Sequence, residues 1–392
     1  MKKKISVLTA TRAEYGLLKP IITKLINVED FDVRIVVTGA HLSPEFGLTY
    51  KEIEDDGFNI DEQIEILLSS DTPASISKSM GLALIGFADY FDRLNPDLLI
   101  VLGDRYETLA VATAAMNQRI PIAHLYGGEA TEGLIDESIR HAISKMAYLH
   151  FTSTDEYRNR VIQLGEHPSR VFNVGSIGIE NIKENKYISK QELSKYLGIS
   201  LSKPYAVVTF HPVTLDHKSS SSQITELLKA ISEHNELNYV FTKSNSDTDG
   251  RIINSMIDEF VSNNCNCVAH TSLGLNRYLT AVKYSNLVIG NSSSGIIEVP
   301  SFNVPTINIG DRQKGRIQAD SIINCKPNYL SIMEAFEKIR DPDYILKLQN
   351  SKNPYEKDNT SKNIVKTIIS YLEKNVIDIK KQFFDINKLE KL

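Results

Sequence analysis

The chain is short of cysteine, of long apolar runs and of any surplus of positive charge, and each shortage closes off a class of protein. Only three cysteines, Cys265, Cys267 and Cys325, occur in 392 residues. An odd number with no framework spacing argues against a secreted disulfide scaffold, and reduced thiols in a cytoplasmic protein are the simpler account. No stretch approaches the roughly 18 apolar residues that a membrane span needs, so no membrane partner is expected. The opening MKKKISVLTATRAEYG starts basic, but its apolar run of about five residues is far short of a signal h-region and reads as a first strand. Lysine and arginine number 44 against 49 acidic residues, a net charge of −5. The lysines are scattered rather than banded, which leaves no footprint for nucleic acid.

Several chemistries are missing as well. No G-x-G-x-x-G follows the first strand, so hydride transfer with a dinucleotide loses its main support. The histidines show no H-E-x-x-H spacing and no Cys/His ligand spacing, which excludes the usual zinc sites; neither a metal nor another cofactor is expected. Asp247-Thr248-Asp249 imitates a metal-binding D-x-D, yet it lies in SNSDTDG, which is turn chemistry.

What is present is a soluble globular composition, 42% apolar and 24% charged, on a chain too long for one ordinary core. Short apolar runs recur: ISVLTA, DVRIVVTG, DLLIVLGD, IPIAHLYGG, LHFTST and RVFNVGS in the first half, then YAVVTFHP, NYVFTKSN, NCVAHTS, NLVIGNSS and VPTINIGD. Each reads as a buried parallel strand, and helical periods such as Leu17, Ile21 and Leu25 lie between them. Strand alternating with helix predicts an α/β protein of two doubly wound domains. The lysine-rich KENKYISKQELSKYLGISLSKP separates the halves, and Ser189 with Glu192 has the spacing of a capping box, so a short helix is expected there. The expected division is 1–185, 186–365 and a helical C-terminal segment, 366–392.

In parallel sheets ligands bind beyond the carboxyl ends of the strands. The residues just after the apolar runs are chemical in type: Arg12, Glu14 and Tyr15; His41; Asp104, Arg105 and Glu107; Glu129; His211; Ser292 and Ser293; Asp311 and Arg312. Two facing domains would bring them to one cleft. In GNSSSGIIEVP, a strand runs into small residues and then a helix start, which suits phosphate; an ordinary N-cap fits the same residues. In LGDRYE, Asp104 suits proton transfer and Arg105 anion binding, or the two form a surface pair. In GGEATEGLIDESIRHAISKM, Glu129 and Asp136 read as functional and Glu132 and Glu137 as structural; the alternative is that Asp136 caps the helix while Glu132, Glu137 and Arg140 form solvated pairs. His211 follows a strand that Pro212 ends.

Taken together, TRAEYG, TGAHL, LGDRYE, GGE…IDESIRHAISK, FHPVT, GNSSSGIIEVP and GDRQKGR resemble the hydrolysing UDP-N-acetylglucosamine 2-epimerases of bacterial sialic acid synthesis, in order over roughly residues 5–320. The resemblance implies a glycosyltransferase-B type fold, with two Rossmann-like domains and a C-terminal helix crossing back to the first. It also implies a reaction in which UDP-N-acetylglucosamine and water give N-acetylmannosamine and UDP, by elimination to a 2-acetamidoglucal and hydration. Its partners are then the UDP-sugar and UDP, and its assembly a homodimer or homotetramer.

Residue by residue, the resemblance makes Asp104 a candidate for proton transfer, matches Asp136 to an acid of the family's motif and puts His211 near the diphosphate; with Glu129, read from its own stretch, these are the expected catalytic residues. The resemblance assigns Ser292 and Ser293 to the diphosphate and Glu298 to the ribose, and Ser294 and Gly295 of the same motif are expected to bind substrate. It matches Arg12, His41 and Arg312 to further substrate-side positions, and Tyr15 and Arg105, read from their places after the strands, are expected to bind substrate as well. One departure stands out: Tyr126 occupies a place that is acidic in many relatives. Either Glu129 or Asp136 does the missing work, or the substrate differs. The nearest alternative substrate is a UDP-2,4-diacetamido-6-deoxy sugar on the way to legionaminic acid. A glycosyltransferase of the same fold would need an acceptor groove, for which no motif is present.

Overall fold

Runs that are apolar on both faces make strands that need helices on each side of the sheet. The computed structural model describes residues 2–70, 72–132, 134–213, 220–244, 250–374 and 376–386. Asp247-Thr248-Asp249 and Thr214 of FHPVT lie outside the described residues. The chain divides into two units, one of Met1–Glu129, Asp136–Asn181 and Tyr355–Leu392, the other of Ala130–Ile135 and Ile182–Pro354.

The first unit holds β1 (Lys3–Thr9), β2 (Phe31–Thr38), β3 (Ile60–Ile64), β4 (Leu98–Leu102), β5 (Ile122–Leu125), β6 (Leu149–Thr152) and β7 (Val171–Asn173). They form a parallel sheet in the order β3-β2-β1-β4-β5-β6-β7. The chain winds outward from β1 to β3 and then returns to β4 on the other side of β1. The crevice beyond β1 and β4 is therefore a topological switch point, where open α/β sheets bind ligands.

The second unit repeats the design with β8 (Tyr205–Thr209), β9 (Asn238–Thr242), β10 (Cys267–His270), β11 (Leu287–Gly290), β12 (Thr306–Ile309) and β13 (Ile322–Cys325). Its order is β10-β9-β8-β11-β12-β13, with the switch between β8 and β11. The sequence reading missed β3 and β13, both edge strands. β3 is IDEQI, with no residue fully buried, and such polar strands carry no apolar signal.

The helix Arg12–Ile26 starts where Thr11 Oγ1 accepts the Glu14 N–H, and buries Leu18, Ile21, Ile22 and Leu25. Pro20 sits inside it and cannot donate to the Gly16 carbonyl one turn back. Asn181 Nδ2 donates to that carbonyl instead, at 2.8 Å, so the orphan acceptor is satisfied. The helix Thr360–Glu373 packs Ile364, Val365, Ile368 and Leu372 into the same apolar cluster. Its first turn is tied down by Glu180, which accepts from Ser361 N and Oγ, both at 2.6 Å.

The C-terminal helical period was expected to continue to the end of the chain, but this helix stops at Glu373. Beyond it the tail is held by side chains, with Lys381 Nζ on Glu166 at 2.9 Å and on the Ala147 carbonyl at 2.7 Å. The short helix between the halves spans Lys190–Leu197, and its Ser189–Glu192 capping box is formed.

Candidate functional site

In the first unit the turn after β1 carries Arg12, Glu14 and Tyr15, and the turn after β2 carries His41. Arg12 faces Glu52, with Nε to Oε2 at 3.0 Å and Nη2 to Oε1 at 2.8 Å. Tyr15 is 3% exposed and donates its hydroxyl to Asp56 at 2.6 Å. His41 is fully buried between Thr9 Oγ1 on Nε2 at 2.9 Å and Thr49 Oγ1 on Nδ1 at 2.8 Å. Burial lowers its pKa to about 4, so the ring is neutral. Sequence reasoning placed Tyr15 and His41 at the substrate. In the structure both are turned inward, and the two hydroxyls on His41 leave no ring nitrogen to meet a ligand.

After β4, Asp104 and Arg105 enter the helix Tyr106–Asn117. Arg105 forks onto the buried Glu107, Nε to Oε2 at 3.2 Å and Nη2 to Oε1 at 3.3 Å. Asp104 is gripped by Arg140, whose Nε donates to Oδ2 at 2.9 Å and whose Nη2 reaches the same oxygen. Arg140 also donates through Nη1 to the Glu129 carbonyl at 2.7 Å and to Glu137 Oε2 at 2.7 Å. It projects from the helix Asp136–Met146 and is only 1% exposed. The alternative of a solvated Arg140 is thus set aside: one buried guanidinium ties the Asp104 carboxylate to the Glu129 backbone from the helix that Asp136 begins. Glu132 pairs with Lys314 at 3.1 Å on the surface of the second unit.

After β5 the chain turns through Tyr126 at φ +66°, a left-handed backbone that non-glycine residues rarely adopt. Its hydroxyl accepts the Ile177 N–H at 2.9 Å and lies 3.1 Å from Ser176 Oγ, which anchors the start of the helix Ile177–Glu184. Glu129 is 3% exposed and accepts from Ser153 Oγ at 2.9 Å. The buried His124 donates Nε2–H to the Gly103 carbonyl at 2.7 Å and takes the Ser144 hydroxyl on Nδ1 at 3.2 Å. Desolvation lowers its pKa to about 4, so a neutral ring fixes the residue just before Asp104.

In the second unit the switch between β8 and β11 is built around Asn291. Its Oδ1 accepts the His211 N–H at 2.7 Å and its Nδ2 donates to the His211 carbonyl at 2.8 Å. Its own carbonyl accepts from Arg312 Nη1 at 3.2 Å and Gln313 Nε2 at 2.9 Å. The His211 ring meets Ser244 Oγ through Nδ1 at 3.1 Å. Gly290, at φ +133°, passes so close to β8 that a Cβ would lie 1.8 Å from the Thr209 carbonyl, so only glycine fits between the strands. Ser292 then caps the helix Ser293–Ile297, accepting from Ser294 N, and Glu298 closes it. Gly295 is buried in that helix.

The structure therefore gathers His211, the serines and Arg312 at one switch point, and Arg12, Asp104, Arg105 and Glu129 along the strand ends of the other sheet. Sequence reasoning missed Asn291 and Arg140. Asn291 carried a signal in its place between Gly290 and the serines; Arg140 carried none, because a helical Arg among acids reads as a surface pair. Among the described residues no group of three or more His, Cys, Asp or Glu could hold a metal ion. Among them, too, no helix is long and apolar enough to cross a membrane.

The sequence model of the family described as UDP-N-acetylglucosamine 2-epimerase matches residues 23–369. The GDP/UDP-N,N'-diacetylbacillosamine 2-epimerase (hydrolyzing) of Campylobacter jejuni subsp. jejuni is 45% identical, over 88% of this chain and 89% of its own length. Polysialic acid biosynthesis protein P7 of Escherichia coli is 43% identical over 98% of both chains. The fold matches the crystal structure of UDP-GlcNAc 2-epimerase from Neisseria meningitidis bound to UDP-GlcNAc, with a TM-score of 0.79 at 19% identity, over 94% of this chain and 100% of that one.

Proposed function

This chain belongs to the UDP-N-acetylglucosamine 2-epimerase family, and from that membership we propose that it is a hydrolysing 2-epimerase of a UDP-activated 2-acetamido sugar, releasing UDP and the 2-epimeric free sugar. A carboxylate removes the C2 proton as the C1–O bond breaks and its electrons leave with UDP. Water then adds to the resulting glucal, its hydroxyl at C1 and a proton at C2 on the opposite face. The observation that carries this reading is the Arg140 tie, which fixes Asp104 and the Glu129 backbone to the helix begun by Asp136. General acid–base work needs carboxylates held in place in this way. Asp104, Glu129 and Asp136 are assigned to proton transfer, and His211 to the departing diphosphate. Ser292, Ser293, Ser294, Gly295 and Arg312 are assigned to the diphosphate itself, and Glu298 to the ribose.

The substrate is read as UDP-N-acetylglucosamine, with N-acetylmannosamine as product. The full-length likeness to the polysialic acid protein supports that choice. The likeness to the diacetylbacillosamine enzyme supports a UDP-2,4-diacetamido-trideoxy sugar comparably well. Steady-state release of UDP from each compound tests the choice, the preferred substrate having the higher kcat/KM. In Asp104→Asn, turnover falls by at least about 10²-fold while UDP still binds. Release of UDP from neither compound would overturn the assignment.

A further inference from the structure

Glu14 is a buried carboxylate to which the proposed chemistry gives no task. It stands on the turn after β1, 7% exposed. The Ala10 N–H donates to its Oε2 at 2.7 Å, while Oε1 is buried without a hydrogen-bond partner. Across the switch point stands Glu107, 1% exposed and clasped by Arg105. Gly39 packs between Glu107 and the Ala10 backbone that binds Glu14: a Cβ there would lie 3.0 Å from the Ala10 carbonyl and 3.3 Å from Glu107 Oε1. Two buried carboxylates therefore share the field of one guanidinium.

His41 is a neutral ring between Thr9 and Thr49, Arg12 faces Glu52, and Tyr15 faces Asp56. Burial is the largest influence on Glu14 and lifts its carboxyl to about 7, with Arg105 pulling it down and Glu107 pushing it up.

We propose that Glu14 is a positioning residue that takes up a proton when an anion engages Arg105, so that binding of the nucleotide sugar is coupled to protonation of this carboxylate. The inference rests on the reading that places Arg105 at the substrate. A diphosphate at Arg105 brings negative charge beside two carboxylates that already share its guanidinium. Like charges at close range cannot all stay ionised in a desolvated site. Glu107 keeps the fork of Arg105, so the proton goes to Glu14, whose Oε1 has no other partner. By linkage, binding that raises the proton affinity of Glu14 is itself tighter at low pH and weakens as pH rises through neutrality.

Calorimetric titration with UDP-glucose tests this, because its diphosphate does not titrate near neutrality and any proton taken up belongs to the protein. Runs in two buffers of different ionisation enthalpy give the number of protons bound. Wild-type protein takes up a fraction of a proton near neutral pH, and its affinity falls by up to about tenfold between about pH 6 and 8. In Glu14→Gln that uptake disappears, and affinity changes by less than about twofold over the same window. Glu107→Gln gives an independent reading if Glu14→Gln does not fold: Glu14 then loses the like charge that pushes its proton affinity up, and the uptake moves to lower pH. Equal uptake in wild type and Glu14→Gln, or an unmoved midpoint in Glu107→Gln, overturns the proposal. Arg105→Ala separates the two layers. If it leaves UDP-glucose affinity unchanged, the placement of Arg105 at the substrate fails and the proposal with it; if it weakens binding while uptake does not depend on Glu14, the proposal alone fails.

Discussion

Replacing Arg140 by Met keeps the apolar stem of a side chain that is 1% exposed and removes every donor from it. Two carboxylates and one carbonyl lose a charged partner: Asp104 Oδ2, Glu137 Oε2 and the Glu129 oxygen. Breaking a fully buried ion pair costs about 3–5 kcal/mol. The Asp104 and Glu137 side chains keep 24% and 28% of their exposure, so water recovers part of that loss. The orphaned carbonyl adds about 1 kcal/mol or more. The net expectation is a loss of about 3 kcal/mol, which lowers the urea midpoint of the first unit by about 1 M. Equilibrium urea unfolding, with a probe confined to that unit, measures it. In the Arg140→Met background, Asp104→Asn removes the stranded charge, so the double variant should be more stable than the sum of the single losses by at least about 1 kcal/mol. Additive losses, or Arg140→Met within about 0.5 kcal/mol of wild type, would refute the claim that one guanidinium holds the site together.

The buried histidines give the protein a pH profile. His41 and His124 have folded pKa values lowered from 6.5 to about 4, so the unfolded chain binds their protons first. Stability is then full above about 6.5 and falls by about 1.4 kcal/mol per pH unit for each ring as pH drops towards 4. Glu14, raised from 4.5 to about 7, acts in the opposite sense between those values, contributing stability at acid pH that is lost as pH rises through about 7. Glu14→Gln should therefore steepen the loss between about pH 6.5 and 4.5, and an unchanged slope in urea midpoints would contradict these shifts. Replacing both Ser292 and Ser293 with Ala should weaken UDP binding by about 1–3 kcal/mol; unchanged affinity in the folded variant returns the stretch to a plain helix cap. Tyr126→Phe removes the acceptor for the Ile177 N–H and should cost about 1 kcal/mol of stability while turnover stays within a few-fold. A drop in turnover of about 10²-fold would instead make the phenol a proton-transfer group.

The central strands were legible because each is a short apolar run buried on both faces, such as β4 with all five residues buried. From their order alone the carboxyl ends could be expected to carry the chemistry, and the Asn291 clamp on His211 shows how closely that end of β11 is built. The edge strand β3 was not legible, because Asp61, Glu62 and Gln63 mask its period. Nor was the direction in which side chains turn. His41 and Tyr15 follow their strands as substrate residues would, yet Thr9, Thr49 and Asp56 draw them inward, and those partners lie as many as 41 residues away. Burial of Arg140 depends on Asp104, 36 residues earlier, a distance over which helical spacing carries no information.

The most direct test of the account is the fate of C2 and of the C1–O bond during turnover. UDP-N-acetylglucosamine and, separately, its diacetamido-trideoxy counterpart are incubated with the protein in D2O and followed by NMR. The account predicts UDP appearing together with a 2-epimeric free sugar that carries deuterium at C2. In H2(18)O it predicts the label on the anomeric carbon and not on UDP, read before mutarotation exchanges that oxygen. A sugar that keeps its original hydrogen at C2, or label in the β-phosphate, would contradict elimination of UDP.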